Sequence, residues 1–415
     1  MKKVLMVAFH FPPLAGSSGI QRTLRFAQHL PATGWQPLVL SAAPRAYERT
    51  SEDLNAAIPA GTVVRRAQAF DTARHLALRG RYLGAMARPD RWVSWRFDGV
   101  RQGMQMIREF KPDVIWSTYP IATAHLIGAE LQRRSGLPWI ADFRDPMAQD
   151  GYPADPLTWQ QYRAIEAVAT TKAALCTFTT PGAATEYQRR YPDAAARIKV
   201  IENGYDEETF TDLAQGDGTV QPLQPGCVTL LHSGIVYPSE RDPSELMVAL
   251  RRLHEAGTIQ LGRLKLRFRA AVADELLLRL AEQQGVLDYV EVCPPIPYRE
   301  ALAEMLRADG LLIMQASNCN AQIPAKLYEY LRAGRPVLCL TDPAGDTAQV
   351  LGQAGINAIA RLDDAQDIAA LLTRFLESGG HGSLQTLPEA GFVRTASRQG
   401  RTEALARMLT QVSDH

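Results

Sequence analysis

Lys326 and Glu329 stand three residues apart in Ile323-Pro324-Ala325-Lys326-Leu327-Tyr328-Glu329-Tyr330-Leu331-Arg332-Ala333-Gly334. That spacing puts both side chains on one face of a helix. Pro324 suits the first helical position, and Gly334 suits the left-handed residue that ends a helix. Pro336 bars further helix, and Val337 to Leu340 is an apolar run of strand length. Near a helix N-terminus, free N–H groups and the helix dipole attract anions, so a lysine placed there can hold a diphosphate. A carboxylate beside it can accept hydrogen bonds from a sugar diol. An exposed Lys–Glu pair on an ordinary helix has the same pattern, and the rest of the chain must separate the two.

Two more stretches carry chemistry. The loop Phe11-Pro12-Pro13-Leu14-Ala15-Gly16-Ser17-Ser18-Gly19 follows an apolar strand, Val4 to Phe9. It precedes a helix with Ile20, Leu24, Ala27 and Leu30 on one side. The N–H groups of Gly16, Ser17, Ser18 and Gly19 can cradle a phosphate. Gly-Ser-Ser-Gly is not GxGxxG, however, and no acidic ribose partner stands about 20 positions on. A plain tight turn fits equally well. The second stretch, Asp142-Phe143-Arg144-Asp145-Pro146, closes a strand that begins at Pro138. In open parallel sheets ligands bind beyond the carboxyl ends of strands, where this cluster falls. The ordinary alternative is a loop salt bridge between Arg144 and an aspartate. His125, eight residues after Ser117 and on a helix from Ala122 to Arg134, is a further candidate. A lone helical histidine is more often structural.

The elements that would position these residues alternate strand and helix through two halves. In the first half, strands are expected at 4–9, 37–40, 113–117, 138–142, 175–179 and 198–201. In the second they are expected at 227–231, 264–271, 289–292, 310–314 and 337–340, with helices between. A polar, Gly/Pro-containing stretch from Asn203 to about Gly226 reads as a linker. An amphipathic tail runs from about Val393 to Val412. With 415 residues, more than one core is required. A hydrophobic share of 46% and a charged share of 21% describe a globular protein. The formal net charge of +1 argues against a dedicated nucleic-acid binder. Cys176, Cys227, Cys293, Cys319 and Cys339 are scattered, which suggests reduced thiols in a cytosolic protein and no disulfide or zinc framework. Lys2-Lys3 and the short apolar run after them end in Pro12-Pro13, so they read as a first strand and not as a leader. No apolar run approaches the roughly 20 residues that cross a bilayer.

Residues 65–111 differ from the rest. They hold eleven basic residues, from Arg65 to Lys111, against Asp71, Asp90, Asp98 and Glu109. Leu76, Leu78, Tyr82, Leu83, Met86, Trp92, Trp95 and Phe97 are interleaved. Such a mixture suits an anionic membrane face. Solvated arginines on helices whose apolar side is core give the same composition.

In this order of motifs the chain resembles the family 4 glycosyltransferases. Their GT-B architecture is α/β, with two doubly wound Rossmann-like domains facing across a cleft. The resemblance spans essentially the whole chain. It rests on Phe11-Pro12-Pro13 with its glycine loop, on Asp142 to Pro146, on Val200-Ile201-Glu202-Asn203-Gly204-Tyr205-Asp206, and on Pro324 to Val337. It is closest to the bacterial exopolysaccharide and O-antigen branch. It implies an acceptor domain over 1–205, a linker over 206–225, a nucleotide-sugar domain over 226–390 and a C-terminal helix over 391–415 that packs back on the first domain. It also implies a donor held by Gly234, Arg241, Lys326, Leu327 and Glu329, with Arg241 and Lys326 at the diphosphate and Glu329 at the ribose. The loop Gly16 to Gly19 would approach from the other domain. Two cations at a diphosphate stabilise the leaving group without a metal, and the chain holds no Asp-x-Asp pair.

The sequence departs from the family pattern at two places. Ala321 stands eight positions before Glu329, where the family has the first glutamate of a pair; the amides of Asn320 or Gln322 are the candidates to replace it. Arg144 stands where many members have a histidine, and an arginine is no base at neutral pH. Asp142 or Asp145 could then accept a proton, or Arg144 could bind an anionic acceptor, and His125 stays a candidate. The implied activity is retaining transfer of a sugar from a UDP or GDP sugar to an acceptor hydroxyl, with no cofactor and no metal. The implied setting is cell-surface polysaccharide assembly on a glycan or lipid-linked acceptor, in the cytoplasm or peripheral on the inner membrane face through residues 65–111. The alternatives are a nucleotide-sugar epimerase of the same fold and a non-catalytic nucleotide-sugar-binding protein.

Overall fold

The computed structural model describes residues 1–16, 19–52, 54–214, 221–377 and 385–414. The chain divides into two compact units, Met1–Asn203 with Arg398–His415, and Gly204–Ser397.

Unit 1 is built on seven parallel strands. They are β1 (Lys2–Val7), β2 (Trp35–Ala42), β3 (Val63–Ala67), β4 (Val114–Thr118), β5 (Trp139–Arg144), β6 (Leu175–Phe178) and β7 (Ile198–Val200), in the order β3-β2-β1-β4-β5-β6-β7. The order reverses between β1 and β4. β1 shows why its apolar run is continuous. Leu5 and Val7 enter one core with Leu38 and Ile115, while Val4 and Met6 enter another with Phe26 and Trp116. Both faces are covered, so no position on the strand's buried stretch can be polar. The helix Arg398–Ser413 supplies Leu405 and Leu409 to the second of these cores. Arg401 of that helix pairs with Glu202 and bonds the Asn203 carbonyl at 3.1 Å.

Unit 2 repeats the scheme with six parallel strands. They are β8 (Val228–Ser233), β9 (Leu264–Arg269), β10 (Val290–Cys293), β11 (Gly310–Met314), β12 (Val337–Leu340) and β13 (Ile359–Ala360), in the order β10-β9-β8-β11-β12-β13. Here the order reverses between β8 and β11. In such sheets the crevice at the reversal, beyond the carboxyl ends of the strands, is where ligands bind.

Several expectations shift. The span 206–225 opens with a helix, Glu207–Ala214, and 215–220 lie outside the described residues. Arg332 pairs with Glu207, which ties that helix into unit 2. The tail is two helices, Ala390–Thr395 and Arg398–Ser413, and the unit boundary falls between them. Trp95 is fully buried and Trp92 packs against the same core, so neither is a surface anchor. No helix among the described residues is long and apolar enough to cross a membrane.

Candidate active site

In unit 2 the site begins where β8 ends. His232 is buried, and its Nδ1 lies 2.9 Å from the Leu312 carbonyl on β11. A carbonyl only accepts, so Nδ1 carries the proton and Nε2 offers a lone pair. Lys326 Nζ donates to that lone pair at 3.0 Å. Burial, and then the Lys326 ammonium, push the His232 pKa well down, so the ring stays neutral. Burial, and then Arg241, lower Lys326 itself to about 7, with Glu329 working the other way. A primary amine has thus been drawn from a water-like environment to the edge of neutrality.

Lys326 opens the helix Lys326–Ala333, two residues after Pro324. The Leu327 and Tyr328 N–H groups bond back to Pro324 and Ala325 at 2.9 and 3.3 Å, a tight first turn. This corrects the reading of Leu327 as a donor contact, because its N–H is taken and its side chain lies in the core. Glu329 accepts the Tyr298 hydroxyl at 2.7 Å. Tyr330, buried on the same helix, accepts the Ser233 N–H at 2.8 Å. That bond docks the helix start onto the end of β8. Arg241 lies over the Tyr237 ring at 5.1 Å and bonds the Ile235 carbonyl at 2.6 Å, so it belongs to the same loop.

Gly234 follows β8 with φ +117°, in the region that favours glycine. A Cβ there would lie 2.9 Å from Lys326 Nζ. Gly234→Ala should therefore cost roughly 1–2 kcal/mol of stability through strain and contact. Adding Lys326→Ala should recover part of that loss, because it removes the atom the methyl meets. Urea melts of the single and double variants check this; no recovery would mean that the backbone strain acts alone.

Asn320 and Gln322 are placed differently. The Asn320 amide nitrogen donates to Asp342 at 2.7 Å, and its oxygen, with no hydrogen-bond partner among the described residues, lies where a Cβ on Gly345 would be 2.9 Å away. Gln322 is exposed, and its carbonyl accepts from Gln315 at 2.9 Å. Ala321 is exposed between them.

In unit 1 a second group gathers at the carboxyl ends of β1 and β5. Gly19 opens the helix Gly19–His29, and a Cβ on it would lie 2.5 Å from His10 Nδ1 and 2.8 Å from Arg144 Nη1. Glycine is required here by space. Gly16, at φ +78°, has open space around it, while Ser17 and Ser18 lie outside the described residues. Burial, and then Arg144, lower His10 to about 4. Arg144 sits at φ +63°, with the Asp145 N–H bonded to the Phe143 carbonyl at 2.7 Å across it, a three-residue turn that β-strand continuation would forbid. Its Nε is buried with no hydrogen-bond partner among the described residues. Asp145 is exposed and accepts the Thr179 hydroxyl at 3.3 Å.

Asp142 and His125 correct the sequence reading. Asp142 is fully buried, and its carboxylate accepts Arg22 at 2.8 and 3.0 Å, Thr118 at 2.8 Å and Thr177 at 2.8 Å. Four donors on two oxygens leave no lone pair for a proton from a substrate. His125 is also fully buried, in ring contact with Phe143 and Trp139, and its Nδ1 lies 2.8 Å from Ser117 Oγ. Burial lowers it to about 4. Neither group reaches the surface of unit 1. His232 and His10 were not singled out in the sequence, although each stands at the carboxyl end of a first strand, directly before a glycine turn or within its loop.

Residues 18–204 match the family described as a glycosyl transferase 4-like domain. Solved structures align along nearly the full chain. A sucrose-phosphate synthase from Thermosynechococcus elongatus is 14% identical with a TM-score of 0.62, covering 99% of each chain. HepE from Anabaena, solved with UDP, is 15% identical with a TM-score of 0.58, covering 100% of this chain and 98% of its own. The lipopolysaccharide outer core galactosyltransferase WaaB is 13% identical with a TM-score of 0.62, covering 98% of this chain and 99% of its own. The chain has the GT-B fold. No curated protein matches its sequence.

Proposed function

We propose that the protein is a glycosyltransferase that moves a sugar from a nucleoside diphosphate sugar to an acceptor hydroxyl. The observation that carries this is the Lys326–His232 pair at the start of a helix, beside Gly234, with Glu329 one turn on. A diphosphate needs a cation and close backbone approach, and a ribose needs a carboxylate; the group offers all three. The family match over residues 18–204 and the complex of HepE with UDP support the same class.

In this reading the acceptor oxygen bonds to the anomeric carbon as the bond to the β-phosphate oxygen breaks. The hydroxyl proton passes to that leaving oxygen, and the configuration is retained. Lys326 and Arg241 stabilise the charge on the diphosphate, so no metal is needed. Unit 1 takes the acceptor, with Arg144 binding an anionic group and Asp145 as the carboxylate open to solvent. A lipid-linked acceptor in cell-surface polysaccharide assembly, at the inner membrane face, fits this division. A second reading, a nucleotide-sugar binder without transfer, draws on Ala321 and on the tethered Asn320 amide.

Thermal melts of the full chain with UDP, GDP and their sugars test the donor site. A nucleotide at one hundred times its Kd should add about 2.7 kcal/mol of stability. No shift with any nucleoside diphosphate would sink the proposal. Release of free nucleoside diphosphate in excess EDTA, on addition of a glycan acceptor, separates transfer from binding.

A further inference from the structure

The segment from Arg74 to Met86 is exposed at every residue except Ala77. It is nonetheless built. Asp71 accepts from the Ala73 N–H at 3.0 Å, and Thr72 ties its base to the Met86 carbonyl at 2.6 Å and to the Arg91 carbonyl at 3.0 Å. At its tip Leu78 and Arg81 exchange backbone hydrogen bonds of 2.8 and 3.0 Å around Arg79 and Gly80, both with positive φ, the mark of a type I′ turn.

What this excursion exposes is apolar and cationic. Leu78 is 80% exposed and Leu83 74%, with Leu76, Tyr82 and Met86 also open. A soluble surface rarely gathers so many large apolar side chains in one short stretch. Between Thr72 and Pro89 the sequence has no aspartate or glutamate. Among the described residues no carboxylate pairs with Arg79 or Arg81, whereas Arg88 pairs with Asp155 and Arg91 with Asp71 and Glu48. Residues 65–111 carry eleven basic against four acidic residues, a local +7 in a chain of net +1.

We infer that this excursion docks the protein on an anionic phospholipid surface, with Leu78 and Leu83 entering the acyl boundary and Arg79 and Arg81 held at the phosphates. The tip's backbone groups bond each other, so they can leave water at little cost. Leu78 and Leu83 bracket Arg79 and Arg81 in sequence, and the long arginine stems let the charges reach back to the headgroups while the apolar side chains go below. A protein partner would have to supply an acidic surface with an apolar centre; a bilayer of anionic lipid offers both over any area. The inference rests on the proposed membrane-face role only for the reason a membrane is needed, and its test reads no nucleotide and no transfer.

The test is sedimentation of the full chain with vesicles of phosphatidylcholine alone, and with vesicles in which part of it is replaced by phosphatidylglycerol. Binding is expected to the anionic vesicles alone and to weaken with salt. Arg79→Glu and Arg81→Glu should each lower the partition by at least ~5-fold. Leu78→Glu with Leu83→Glu should abolish it, while Leu261→Glu, at a 56% exposed leucine of unit 2, should leave it unchanged. Thermal melts of each variant guard against unfolding. Failure of the wild-type chain to bind anionic vesicles overturns the inference. So does equal loss in Leu261→Glu, or a concentration-dependent dimer that Leu78→Glu dissolves.

Discussion

Replacing Asp142 with alanine should destabilise unit 1 by about 3–5 kcal/mol, the range for breaking a buried ion pair from one side. The loss has three sources. Arg22, 5% exposed, keeps its bonds to the Ile201 and Glu202 carbonyls at 3.0 and 3.3 Å but loses its counter-charge. Thr118 and Thr177 lose their acceptor. A void opens at the end of β5. In a unit of this size the melting temperature should fall by roughly 10 °C. Arg22 reaches from the helix Gly19–His29 to β5 and to the chain after β7, so the pair closes the unit across 120 residues of sequence.

The pH dependence has a definite sign. Burial alone would push the Asp142 carboxyl up; Arg22, Thr177 and Thr118 outweigh it and hold the carboxyl below its ordinary range. A carboxyl depressed in the folded state adds stability above its unfolded pKa of about 3.9, and that stability is lost as pH falls through the folded value. The gap in stability between wild type and Asp142→Asn should therefore be widest near neutral pH and narrow below about pH 4. Urea melts across that range read it directly. A fully stable but inactive Asp142→Asn protein would instead restore Asp142 as a proton acceptor. Replacing both Arg22 and Asp142 with apolar residues should recover part of the loss, since the desolvated pair is itself costly.

That ion pair marks where sequence reading stops. Strands covered on both faces are legible as apolar runs, and β11 and the helix Tyr298–Arg307 fall where the pattern puts them. β3 is half-buried and contains Arg65 and Arg66, so its alternation carries no apolar signal; β13 is two residues long. The linker's helix Glu207–Ala214 is held by Arg332, over a hundred positions away, which no local window contains. The same holds for the site. Lys326 and Glu329 are visible because a helix start and a three-residue spacing bring them together locally. His232 is invisible, because its place beside Lys326 depends on a carbonyl on β11 that fixes its tautomer. Asp142, Arg144 and Asp145 look alike in sequence, and only packing turns one inward and leaves another in solvent. Trp95 looked like a surface anchor for the same reason.

Lys326→Ala should lower kcat/KM for transfer by ~10²–10³-fold, the usual size for a lost contact to a leaving group's developing charge. The wild-type pH profile makes a sharper test of the same residue. Lys326 titrates at about 7 in the free protein, because burial and then Arg241 disfavour its charge. A bound diphosphate adds opposite charge beside the amine and must raise that pKa. Donor binding above pH 7 therefore takes up a proton, and the Kd should rise with pH from about 7 upward, approaching tenfold per unit. Isothermal titration in buffers of different ionisation heat counts the proton directly. Lys326→Arg keeps a charge that does not titrate in this range, so its Kd should be flat with pH even if binding is weaker. His232 is the control on the mechanism: as a neutral acceptor held by Leu312 it positions the amine without titrating. His232→Phe should loosen Lys326 and weaken donor binding while leaving the proton uptake in place. A wild-type Kd independent of pH between 6 and 9 would show that Lys326 does not meet the diphosphate, and the donor would then have to be held by Arg241 and the backbone at Gly234 alone.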